Sequence, residues 1–148
     1  MRHSNLFITL NTNDNMLGDD EQTHKTKIDK LRHIVRAIFT EDFIQKYFKF
    51  KSDAPEGSDF TDRWFKNVEI QFSLEEGSER GFLHAHIATF IAHRTKIELL
   101  KDKLYQDIYQ LMNEAGWSSF HYHPKWSYNT SDIKEGLIAY IRKNPLPV

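Results

Sequence analysis

Two histidines stand one residue apart in the apolar run GFLHAHIATF. Side chains two apart on a β-strand point to one face, so His84 and His86 would present both imidazoles together while Leu83, Ala85 and Ile87 look the other way. That geometry belongs to a metal-binding pair or to two ordinary exposed histidines. Two imidazoles leave a divalent ion short of ligands, and the chain has no cysteine, so a third ligand has to be a carboxylate or another histidine. The stretch before the pair supplies Glu75 and Glu76. Glu75 shares the polar face of an alternating segment and is the expected ligand; Glu76 takes its place if a bulge switches the parity.

A second pair with chemical potential is Tyr140 and Lys143 in EGLIAYIRKN. Three apart on a helix, they share a face, and the ammonium can lie near the phenol and near whatever the phenol attacks. The plainer meaning of that spacing is a core tyrosine with a lysine reaching to water. A protonated phenol, of free pKa about 10, is a poor nucleophile. A divalent metal and a lysine would address that weakness by polarising a phosphoryl group and countering negative charge. A second His-x-His, His121 and His123 in SSFHYHPKW, reads as a strand edge that touches nucleic acid.

Positioning these groups requires a sheet and helices around it. NLFITLN at 5–11 is short, β-branched and aromatic and ends at the turn-rich NTNDNMLGDD. Apolar residues at Ile28, Leu31, Ile34, Val35 and Ile38 follow the helical period over 23–39, and a second helix is expected at 41–48 behind Thr40. KSDAPEGSDFTD is a polar loop. WFKNVEIQFSL and GFLHAHIATFI, joined by EEGSER, form an antiparallel hairpin with the histidines on its second strand. A long helix covers 94–115 and stops at Gly116. WSSFHYHPKW follows as a strand, and Thr130 or Ser131 caps a last helix reaching about residue 143. The order strand, helices, hairpin, helix, strand, helix indicates an α+β fold with a central antiparallel sheet flanked by helices.

At 148 residues, 39% hydrophobic and 14% aromatic, the chain suits a single domain spanning 1–148. Its formal net charge of −1 gives no overall attraction for nucleic acid, although HKTKIDKLRHIVR is locally basic. No segment approaches the roughly 18 apolar residues that cross a bilayer, so a soluble, intracellular protein without membrane contact is expected. No G-x-x-x-x-G-K-[ST] motif occurs, so an ATP-driven helicase module is not encoded in these residues.

In order and rough spacing, NLFITLN, then FLHAHIA on a strand, then AYIRKN on a helix resemble the three motifs of the HUH endonucleases, in particular the rolling-circle replication initiators of small DNA viruses and plasmids. The resemblance spans nearly the whole chain. It implies a nicking domain with a ferredoxin- or RRM-like sheet, possible as the N-terminal part of a larger initiator, acting on single-stranded DNA at an origin alongside a helicase domain or host replication proteins. It implies His84, His86 and Glu75 (or Glu76) as ligands of Mn²⁺ or Mg²⁺, with Fe²⁺ or Zn²⁺ also compatible. Tyr140 would be the nucleophile and Lys143 its partner one turn later. Thr9, Asn11, Trp126 and Arg142 are the expected DNA contacts. The location it implies is the host nucleus for a eukaryotic virus and the cytoplasm for a prokaryotic replicon. Two alternatives accompany it: a single-tyrosine transposase or relaxase of the same superfamily, and a non-catalytic single-strand-binding module that stacks bases on Phe7, Trp64, Phe82 and Trp126. The residues between Thr23 and Phe50 depart from the viral pattern as a longer insertion.

Overall fold

The computed structural model describes residues 2–40, 65–77, 80–93 and 100–146. The helix expected at 41–48, the polar loop after it and Trp64 lie outside the described residues. The chain runs β1 (Arg2–Asn15), α1 (Glu21–Ile38), β2 (Phe65–Glu76), β3 (Phe82–His93), α2 (Leu100–Glu114), β4 (His121–Tyr128) and α3 (Ser131–Ile141). The four strands form one sheet in the order β2-β3-β1-β4, and every neighbouring pair is antiparallel. This is the expected α+β architecture.

Alternation along the strands decides which face is which. Leu6, Ile8 and Leu10 of β1 and Leu83, Ala85 and Ile87 of β3 are buried on one face. Against them pack Ile28, Leu31, Val35 and Ile38 of α1 and Leu104, Ile108 and Met112 of α2. Each such fully buried aliphatic side chain contributes roughly 1.5–3 kcal/mol of transfer free energy. The other face carries a smaller cluster, in which Phe7, Ala88 and Phe90 meet Leu137, Ile138 and Ile141 of α3. Among the described residues, two helices therefore cover one side of the sheet, and α3 lies against the other.

Local chemistry sets the ends of these elements. Asp20 caps α1 by accepting the Thr23 backbone N–H at 2.7 Å, and Thr130 caps α3 by accepting that of Ile133 at 3.2 Å. Gly116, at φ 91°, follows the last turn of α2 as expected for a helix stop. α3 ends at Ile141, two residues before the expected boundary, and the chain returns to β2 through a Leu146 N–H to Leu74 carbonyl bond of 2.7 Å.

β1 is longer than the 5–11 expected from its apolar centre, because the polar residues at both ends still find ladder partners. Its pairing with β3 shifts register between Asn11 and Asn15. There Asn13 adopts φ 57°, and its N–H is bound by the Asn11 side chain at 2.9 Å. Between β2 and β3 the irregularity falls at Lys66/Glu69, far from the turn.

Candidate metal centre and sheet face

The register places four residues abreast in each row of the face opposite α1 and α2. One row reads Glu75, His84, Asn11 and His121 across the four strands; the next reads Ser73, His86, Thr9 and His123. Farther along come Gln71, Ala88, Phe7 and Lys125, then Glu69, Phe90, Asn5 and Ser127. The candidate chemistry is gathered in the first two rows.

Glu75 Oε2 lies 3.1 Å from Nε2 of His84 and 3.1 Å from Nε2 of His86. Glu75, His84 and His86 form a group whose ligand atoms all lie within 4.8 Å of one another, the one such three-residue group among the described residues. The other nitrogen of each ring is already engaged. His84 Nδ1 is 3.0 Å from the Phe82 carbonyl, which can only accept, so Nδ1 carries a proton and Nε2 is the atom that can serve as ligand. His86 Nδ1 is 3.3 Å from Thr9 Oγ1, which accepts its N–H when Nε2 serves as ligand. Burial, together with the neighbouring His84, holds the His86 pKa below its usual value against the pull of Glu75, so its ring is neutral at pH 7. Three electron-pair donors thus converge on one point. A proton on one nitrogen or a cation between them can hold such donors together, and nitrogen–nitrogen–oxygen donors with open positions suit a divalent metal.

Glu76 points elsewhere. Its Oε2 is 2.9 Å from His24 Nε2 on α1, a partner on the helix-covered side that no spacing in the sequence would suggest. The parity argument from the alternating strand therefore describes the side chains as they stand, since no bulge intervenes near the turn.

Tyr140, in the last turn of α3, sets its ring edge-on to His86 at a centroid distance of 5.1 Å and to Phe7 at 6.0 Å. Packing of Leu137, Ile138 and Ile141 fixes the helix, yet Tyr140 remains 53% exposed, so its hydroxyl is open to a substrate lying over the sheet. Lys143 sits past the helix end, exposed, with its N–H 3.3 Å from the Tyr140 carbonyl. It follows Tyr140 by one turn of chain, as the spacing requires, although not within the helix itself. Arg142, the C-cap of α3, is also exposed.

The expected DNA contacts are distributed differently. Thr9 stands beside His86, and Asn11 spends its side-chain oxygen on the β1 turn. Trp126 pairs with Leu6 on the opposite face and packs against the main core, which removes it from the metal-side surface. The residues of β4 that share the metal face are His121, His123 and Lys125, all exposed, and the two imidazoles stack at 5.8 Å. Proline at position 124 of this edge strand removes an N–H donor.

No protein-family model matches the chain, and no curated protein matches it. Among solved structures, its fold is similar to that of a REP-associated tyrosine transposase bound to a REP hairpin, with a TM-score of 0.47 and 14% identity over 95% of this chain. The chain spans 66% of that neighbour's length. Among the described residues, no helix is long and apolar enough to cross a membrane.

Proposed function

We propose that this chain is a metal-dependent HUH-type nuclease that cleaves and rejoins single-stranded DNA through Tyr140. The observation that carries the reading is the convergence of Glu75, His84 and His86 on one point, with the exposed Tyr140 ring against His86. A divalent cation held by these three groups, Mn²⁺ or Mg²⁺, would supply Lewis-acid polarisation of the scissile phosphate.

The chain's own residues account for the rest of the reaction. The part of this face beside α3 receives an extended strand, and the exposed β4 side chains His121, His123 and Lys125 meet its backbone. α3, anchored through Ile141, holds the phenol beside the phosphate. Tyr140 loses its proton to water as its oxygen attacks phosphorus. The P–O3′ bond breaks, the departing oxygen takes up a proton, and the products are a 5′-phosphotyrosine ester and a free 3′-OH. Lys143 and Arg142, both exposed just past Tyr140, would counter the developing charge. The ester keeps the energy of the broken bond, so attack by a 3′-OH reverses the step and joins strands without ATP.

Within that chemistry, the order of the three motifs favours origin nicking in rolling-circle replication, where the 3′-OH primes synthesis. The test is covalent capture. The protein is mixed with a library of single-stranded oligonucleotides and Mn²⁺, and adducts are read on a denaturing gel beside Tyr140→Phe and a chelator control. Adducts that depend on both Tyr140 and metal are expected. Their absence for every sequence overturns the nuclease reading, and adducts that persist in Tyr140→Phe overturn the choice of nucleophile.

A further inference from the structure

Phe7 occupies the row of the metal face next to that of His86. It stands between Ala88 of β3 and Lys125 of β4, two residues from Thr9, which pairs with His86. Its ring stacks on the His86 imidazole at a centroid distance of 5.6 Å with the planes 20° apart, and Tyr140 meets it edge-on at 6.0 Å. With the 5.1 Å edge contact between Tyr140 and His86, three rings touch pairwise. Each separation falls in the range of about 4.5–7 Å over which aromatic side chains attract with a preferred geometry. Among the described residues, Phe7 is the one side chain in ring contact with both His86 and Tyr140.

The two partners in this contact are mounted unequally. β1 is an interior strand, bonded to β3 on one side and to β4 on the other, so the backbone beneath Phe7 is fixed. Its side chain packs with the fully buried Ala88 opposite and with Ile141 of α3. α3 is held more lightly: Ile141 is its one buried residue, and Tyr140, just before it, is 53% exposed. A phenol so placed keeps a choice of rotamers unless a neighbour restricts it. The Phe7 ring supplies that restriction and also backs one face of the imidazole, so a single side chain ties the direction of the ligand to the place of the nucleophile. The face it spends on His86 is closed to a stacking base, which sets it apart from a platform residue. We propose that Phe7 is a positioning residue: its ring fixes where the Tyr140 phenol stands relative to the ion that Glu75, His84 and His86 would hold. What the phenol attacks rests on the nuclease reading above; where it stands does not.

Two variants, Phe7→Leu and Phe7→Met, remove the ring and keep most of its bulk, and circular dichroism checks the fold of each. A fluorine label on the Tyr140 ring is relaxed by bound Mn²⁺ with a steep dependence on distance, so its resonance reports the separation of phenol and ion without DNA. The wild type is expected to give one separation, and both variants a longer or broadly distributed one with Mn²⁺ still bound. With an oligonucleotide that forms adducts, the limiting rate of adduct formation should fall by about 10- to 100-fold, the cost of a misplaced reacting atom, while the half-saturating DNA concentration stays within about twofold. An unmoved separation in both variants overturns the assignment. So does a rise in half-saturating DNA at an unchanged limiting rate, which would make Phe7 a stacking platform, and so does loss of the fold in both variants, which would make it a core residue. A wild type that binds Mn²⁺ and forms no adduct rejects the nuclease reading, and the fluorine measurement then decides Phe7 on its own. A wild type that binds no Mn²⁺ overturns both.

Discussion

Glu75 and Glu76 are adjacent in sequence and opposite in job, and the difference is one of facing. Glu75 Oε2 lies between two imidazoles, whereas Glu76 reaches back to His24. Glu75→Gln is expected to abolish Mn²⁺ binding, and Glu76→Gln to leave the stoichiometry at one ion per chain; calorimetric titration of both variants decides. A Glu76→Gln protein that loses the ion would reverse the assignment. The Thr9 hydroxyl lies 3.3 Å from Nδ1 of His86, where it can support the ring behind a bound ion. Thr9→Val should weaken metal affinity by about 10- to 100-fold with the fold intact, the usual cost of losing a partner behind a ligand. Unchanged affinity in that variant would return Thr9 to the substrate. The clustering of Glu75, His84 and His86 was legible from residue type and spacing, since strand parity is fixed by backbone geometry. The partners of Thr9 and His24 were not, because they lie 77 and 52 residues away and only folding brings them near.

The hairpin carrying the ligands depends on its turn and on β1 beyond it. Gly81 has φ 64°, and a Cβ added there would sit 2.5 Å from Leu17 Cγ while the Gly81 carbonyl accepts the Met16 N–H. Gly81→Ala therefore meets both a backbone and a steric penalty, and a loss of more than about 1 kcal/mol is expected in chemical denaturation. A variant as stable as the parent would show that the turn relaxes freely. At this scale the sequence was informative where one face is apolar: β2, β3, α1 and α2 follow their periods closely. It was less so for β1, whose polar ends are strand only because β3 and β4 pair with them. Trp126 shows the same limit. An aromatic residue in an edge strand suggests a stacking platform until the register pairs it with Leu6 on the core side.

For the molecule as a whole, stability toward acid should hinge on a polar knot beside the core. Asp14 accepts hydrogen bonds from Lys27 at 2.9 Å and from Trp117 Nε1 at 2.9 Å, and Lys27 also pairs with Asp19 at 2.7 Å. Burial alone would raise the Asp14 pKa; the hydrogen bonds from Lys27 and Trp117 outweigh it and leave the carboxyl below its ordinary value. A depressed folded-state pKa contributes stability that is present above the unfolded value near 4 and lost as pH falls through the folded one. Asp14→Ala should cost about 1–3 kcal/mol at pH 7, chiefly by stranding the Trp117 N–H, and should shallow the fall in stability below pH 4. Denaturant melts of both proteins from pH 7 to pH 2 provide the comparison, and parallel curves would remove Asp14 from the acid response.

The rows across the sheet also set which kinds of sequence change the protein can survive. Every functional row is assembled from one residue per strand, so a substitution alters one square, whereas a one-residue insertion or deletion within β3 shifts every later square to the opposite face. Deleting Ala85 would bring the two imidazoles next to each other in sequence and turn them to opposite sides of the sheet. Related chains should accordingly hold the spacing between Phe82 and Phe90 constant, with length changes confined to the connections between elements.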